Sequence, residues 1–96
     1  MTNQQILEVL SAHKDYLQLS FGVESIGLFG SFARGDQKVD SDIDILVKFK
    51  EPDFHLWCSL KRFLENNFKN QVDLITEGTH LSERFKNRVN KEIIYA

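Results

Sequence analysis

The stretch Leu28-Phe29-Gly30-Ser31-Phe32-Ala33-Arg34-Gly35, with Asp36-Gln37-Lys38-Val39-Asp40-Ser41 and Asp42-Ile43-Asp44-Ile45-Leu46-Val47 behind it, decides the reading of this chain. An apolar run stops at a Gly-Ser turn, a polar excursion follows, and a second apolar run opens on two aspartates spaced by one residue. Side chains two apart on a strand share a face, so Asp42 and Asp44 project together. Carboxylates held side by side repel each other, and a hard divalent cation relieves them. A Gly-Ser turn at a strand end offers free backbone N–H groups and a hydroxyl, which suit a phosphate. Together the two features read as a nucleoside-triphosphate site.

Outward from that stretch, the spacing of apolar residues supplies the elements. Thr2 and Gln5 form a capping-box pattern, and Ile6, Leu7, Leu10, His13 and Leu17 recur at helical spacing. They predict one helix from about Asn3 to Leu19, ending near Gly22. Val23 to Phe29 reads as a strand, Ser31 to Arg34 as one helical turn broken by Gly35, and Ile43 to Phe49 as a second strand. Asp53 follows Pro52 as an N-cap, and Phe54, Trp57, Leu60, Lys61 and Leu64 carry a helix to about Asn67. Gln71 to Thr76 is a short third strand. Leu81, Phe85, Val89 and Ile93 keep an i, i+4 stripe for a last helix, with Glu83, Arg84, Lys86, Arg88, Lys91 and Glu92 as its solvated face. The expected fold is of the α+β type within the α/β group, a small mixed three-stranded sheet flanked by helices.

Composition narrows the function. The 96 residues, 42% hydrophobic and 27% charged, suit a single domain over residues 1–96 with one core rich in its eight Phe. A net charge of -2 disfavours a nucleic-acid partner. The lone Cys58 excludes an internal disulfide and fits a reducing cytoplasm. Neither a secretory leader nor an apolar run of the ~20 residues a bilayer requires is visible, so a cytoplasmic location without a membrane partner is expected. His13, His55 and His80 share no metal-ligand spacing.

A charged residue inside the Val72-Asp73-Leu74 strand calls for a reason. With the third strand beside the second, Asp73 joins Asp42 and Asp44 on one face. Three such carboxylates suit one or two Mg²⁺ ions, and two ions about 3.5–4 Å apart clamp the oxygens of a phosphoryl displacement. Gly30 allows close backbone approach and Ser31 hydrogen-bonds a phosphate oxygen. Arg34 is a candidate for neutralising phosphate charge, and Gly35 for the turn that returns the chain.

These residues carry a resemblance. Gly30-Ser31 with Arg34-Gly35, then Ser41-Asp42-Ile43-Asp44, resembles the signature of the DNA polymerase beta-like nucleotidyltransferase superfamily. The small size and the Ala33-Arg34-Gly35 form make the chain most similar to the minimal nucleotidyltransferase (MNT) group, over nearly its whole length. The resemblance implies the nucleotidyltransferase fold and Mg²⁺-dependent transfer of AMP from ATP, with release of pyrophosphate. It assigns Gly30 and Ser31 to the phosphates, and Asp42, Asp44 and Asp73 to the metals and catalysis. It also implies an antitoxin that silences a partner HEPN-domain toxin by attaching AMP to a tyrosine hydroxyl. A chain this short has no domain for a template or a small acceptor, which likewise points to an acceptor on another protein. Gln37 departs from the small residue many members carry there, which bears on the loop's nucleotide contacts. The competing reading is a non-catalytic antitoxin that neutralises its partner by binding alone.

Overall fold

The computed structural model describes residues Met1–Ala96. Helix α1 (Asn3–Ala12) starts where the cap pattern places it. The Gln5 N–H donates to the Thr2 hydroxyl at 3.2 Å, and the Thr2 N–H donates to the Gln5 side chain at 2.8 Å. The single helix expected to Leu19 is divided: α1 ends at His13 and α2 runs Lys14–Phe21. His13 is the cause. Its Nδ1 lies 2.8 Å from the Val9 carbonyl, and its ring sits edge-on to Phe63, 5.4 Å between centroids. A side chain competing for a helical carbonyl loosens the turn. The apolar stripe continues across the break, with Ile6, Leu10, Leu17 and Phe21 buried.

Gly22, in the left-handed region at φ 69°, ends α2 and starts β1 (Val23–Phe29). The chain then makes the short helix α3 (Gly30–Arg34), the polar loop, and β2 (Ile43–Phe49). Helix α4 (Phe54–Phe68) is capped by Asp53, which accepts from the Leu56 N–H at 3.1 Å, and leads to β3 (Val72–Thr76). Helix α5 (Glu83–Asn90), capped by Ser82, precedes β4 (Ile94–Tyr95).

The sheet therefore has four strands, not three, in the order β3-β2-β1-β4. β1 is antiparallel to both neighbours, while β2 and β3 are parallel, so the sheet is mixed as expected. The extra strand arises because α5 stops at Asn90, before Ile93, and the chain turns back onto β1. Two residues of strand leave no periodicity to read, and their partner Gly27 hides the contact by having no side chain. A Cβ on Gly27 would lie 2.8 Å from Ile93 and 3.1 Å from Tyr95. Gly27→Val is expected to push β4 away and destabilise the fold by about 1–3 kcal/mol. Hydrogen exchange checks this as selective loss of protection at Ile94–Ala96.

Alternation along the strands sorts the two faces of the sheet. Ile43, Ile45, Val47 and Phe49 point with Val72 and Leu74 into the main core, against Ile6, Leu10, Leu17, Leu60, Leu64 and Phe68. The opposite face carries Phe29 and Leu46 against Val89, with Ile75, Leu81, Phe85 and Ile93 around them. By the same alternation Asp44 and Asp73 belong to this second, thinly covered face. Carboxylates on the first face would have been sealed in hydrocarbon.

Candidate active site

Parallel pairing places Asp44 directly opposite Asp73, in a register that also matches Ile43 with Val72 and Ile45 with Leu74. Antiparallel pairing places Phe29, the last residue before the Gly-Ser turn, opposite Asp44. Two strand pairings thus bring the turn and two of the three aspartates to one end of the sheet. A cleft of about 310 Å³ lies there, lined by Phe29, Gly30, Ser31, Arg34, Asp44, Asp73, Ile75, Phe85, Arg88 and Glu92. Asp42, just ahead of β2, opens instead on a neighbouring cleft with Lys61, Glu65, Asn70, Gln71 and Asp73. Asp73 is the wall the two clefts share.

Gly30 has to be glycine. Its φ is 76°, and a Cβ there would fall on the Asp44 carboxylate. Gly35, at φ 81°, ends α3 with its N–H on the Ser31 and Phe32 carbonyls, and does not line the cleft. Its part is to return the chain. Gln37 also lies off both clefts; its side chain reaches the Met1 carbonyl at 3.4 Å.

Arg34 is held from two sides, by Asp36 at 3.1 Å and by Glu92 at 2.7 Å. Its pKa is raised, first by the hydrogen bond to Asp36. Glu92 also accepts the Gly30 N–H at 2.7 Å, through the same oxygen, and its side chain is only 14% exposed. Asp44 is pushed up to about 6, by burial first and then by the fields of Asp73, Asp42 and Glu92, against a small opposing effect of Arg34. The centre is an excess of negative charge next to a turn built for anions.

A family model described as polymerase beta, nucleotidyltransferase matches residues 11–96. The chain belongs to this nucleotidyltransferase family. It is 40% identical over 96 residues to the protein adenylyltransferase MntA of Thermococcus cleftensis, spanning 99% of this chain and 96% of the relative. A solved structure of a candidate minimal nucleotidyltransferase superposes with a TM-score of 0.81 at 32% identity, covering 98% of this chain and 95% of that one. A toxin–antitoxin structure with AMP-PNP gives a TM-score of 0.70 at 25% identity, covering 88% of this chain and 69% of that one.

Two cleft residues of this nucleotidyltransferase, Arg88 and Glu92, were expected on a solvated helix face. Arg88 is exposed on α5 as expected and also lines the cleft, over the Phe85 ring at 5.4 Å from guanidinium carbon to centroid, while Glu92 lies beyond the end of α5. Their signal in the sequence is positional: Arg88 follows the half-buried Phe85 by three residues, and Glu92 follows the buried Val89 by three. For a divalent cation the donor chemistry fits, since the carboxylates are hard oxygen ligands with an uncompensated charge. The side chains do not yet converge: no three acidic, His or Cys groups stand close enough to share one ion. Asp42 and Asp73 are both exposed and have room to turn inward.

Proposed function

We propose that this nucleotidyltransferase moves AMP from ATP onto a tyrosine hydroxyl of a HEPN-domain toxin and thereby acts as its antitoxin. The reading rests on one observation above the others: Asp44 and Asp73 face each other across adjacent parallel strands, in the cleft that holds the Gly30-Ser31 turn. The name of the 40%-identical relative supports the adenylyl group and a protein acceptor. The toxin–antitoxin structure with AMP-PNP supports a toxin partner and an adenine nucleotide. No helix of the chain is long and apolar enough to cross a membrane, which is compatible with a cytoplasmic place of work.

In this mechanism the Gly30 N–H and the Ser31 hydroxyl bind phosphate oxygens, and Arg34 and Arg88 neutralise their charge. Asp42, Asp44 and Asp73 would hold Mg²⁺, which when bound supplies charge neutralisation at the triphosphate and the acceptor oxygen. The acceptor hydroxyl approaches along the Asp42–Lys61–Asp73 cleft, so that it meets the nucleotide at the shared wall. Its oxygen bonds to the α-phosphorus, the bond to the β-phosphate oxygen breaks, and pyrophosphate leaves. Asp73, which faces both clefts, is placed to take the hydroxyl proton.

With α-labelled ATP, Mg²⁺ and the cognate toxin, label is expected on the toxin and on a single class of residue. A toxin left unlabelled by the wild-type protein would sink the proposal. The second reading, neutralisation by binding alone, draws on the engagement of Gly30 and Arg34 with Glu92 rather than with open solvent. It requires that Asp42→Asn and Asp44→Asn still protect cells from the toxin.

A further inference from the structure

We propose that Glu92 is a built-in competitor for the triphosphate, its carboxylate standing where a phosphate oxygen would bind; this rests on the site reading above. A single oxygen, Oε2, receives both the Gly30 N–H and the Arg34 guanidinium, each at 2.7 Å. Short bonds from a backbone amide and a guanidinium to one anionic oxygen are the pattern by which these donors hold a phosphate.

The way Glu92 is delivered supports a fixed rather than a casual contact. The N–H groups of Glu92 and Ile93 both return to the Val89 carbonyl, at 3.0 and 2.9 Å. Immediately afterwards the chain pairs with β1, Leu28 with Ile94 and Gly27 with Tyr95. Glu92 is thus clamped between the end of α5 and β4, directly over the turn that ends β1. It holds that place although Asp44 lines the same cleft and the two carboxylates repel each other. Arg34 keeps a second partner, Asp36 on its Nε, whether or not Glu92 is engaged.

A nucleotide therefore meets a cleft in which two of its anion donors, the Gly30 N–H and Arg34, are already taken. Its apparent affinity is its affinity for the open cleft multiplied by the fraction of molecules in which Glu92 has let go. Glu92 sets that fraction.

The test is titration of the full chain with AMP-PNP in Mg²⁺, beside adenosine as a probe without phosphate. Glu92→Gln keeps the side-chain shape and removes the charge. Glu92→Asp keeps the charge and withdraws the carboxylate by one methylene. Both variants are expected to bind AMP-PNP about five- to tenfold more tightly than wild type, with adenosine binding unchanged. Equal or weaker AMP-PNP binding in both would overturn the proposal and make Glu92 a support for the turn. Tightening in Glu92→Gln alone would also overturn it, because removal of charge at a distance then suffices. Should neither wild type nor the variants bind AMP-PNP, the nucleotidyltransferase reading of the cleft falls, and the competitor with it.

Discussion

Asp44→Asn is expected to abolish AMP transfer while making the protein harder to melt. The two effects share one cause. Burial and the fields of Asp73, Asp42 and Glu92 lift the Asp44 pKa from 3.8 to about 6, so its ionised form is disfavoured in the native state. The unfolded chain gives up that proton near pH 4 and the folded chain gives it up near pH 6. Between those values the native state binds more protons, and its stability falls as pH rises, levelling off above about 6. A tenfold change in proton affinity corresponds to about 1.4 kcal/mol. Asp44 retains contact with water, however, which screens the interaction and leaves about 1 kcal/mol. Asn removes the charge at nearly constant shape. Without divalent cation, Asp44→Asn should melt about 4–8 °C higher than wild type at pH 7 and lose the slope between pH 4 and 6. Transfer should drop on the order of a thousandfold, the scale for removing one electrostatic contact at a reacting phosphate. Thermal melts across pH and a labelled-ATP assay read the two arms. A lower melting temperature at pH 7 would show that Asp44 is compensated in the native state.

Gly30→Ala is the second large effect, and it acts in the opposite direction on stability. The φ of 76° costs an alanine about 1–2 kcal/mol, and the added methyl falls on the Asp44 carboxylate. Relief requires Asp44 to turn away from Asp73 or the turn to open away from Glu92. The expected sum is about 2–4 kcal/mol of lost stability, with transfer below detection. Gly35→Ala separates geometry from site. Its φ of 81° strains an alanine equally, but no atom lies within reach of a Cβ. A fall in stability comparable to the strain alone, with transfer retained, is the expected contrast. Equal loss of transfer in both variants would mean that the turn as a whole matters, not the Gly30–Asp44 contact.

The sequence speaks where structure is local. The apolar run Ile43 to Phe49 marked the second strand, and the Asp53 and Thr2 caps were readable in the same local way, whereas Asp42, expected beside Asp44, stands just ahead of the strand and opens on the neighbouring cleft. Asp73 came through as a charge inside an apolar strand, and its pairing with Asp44 follows from a short parallel crossover. Three things escaped. The break at His13 preserves the apolar stripe, since the Leu17 N–H still reaches the His13 carbonyl at 2.8 Å, so no periodicity records it. β4 is defined by a partner far away in the chain and by a side chain Gly27 lacks. Glu92 looked like one charge among several on an exposed helix, because only the reversal after Asn90 carries it to the turn. For β4 and Glu92 the deciding contact is long-range or consists of an atom that is missing, and for His13 it is a local side-chain contact that leaves the apolar stripe unchanged.

That reversal has a dynamic consequence. The pairing of β4 with β1 joins residues separated by most of the chain, and its strand register covers only Gly27–Tyr95 and Leu28–Ile94, with the Ala96 N–H on the Ile26 carbonyl beyond it. Ile94 and Tyr95 remain exposed, so little buried area holds the segment down. Segments with few buried contacts open at free energies well below that of global unfolding. Fraying of this two-residue strand would loosen Glu92 while the Ile43–Phe49 strand and the core beneath it stay shut. If Glu92 competes for the triphosphate as proposed, access to the cleft is thereby tied to a strand of only two residues.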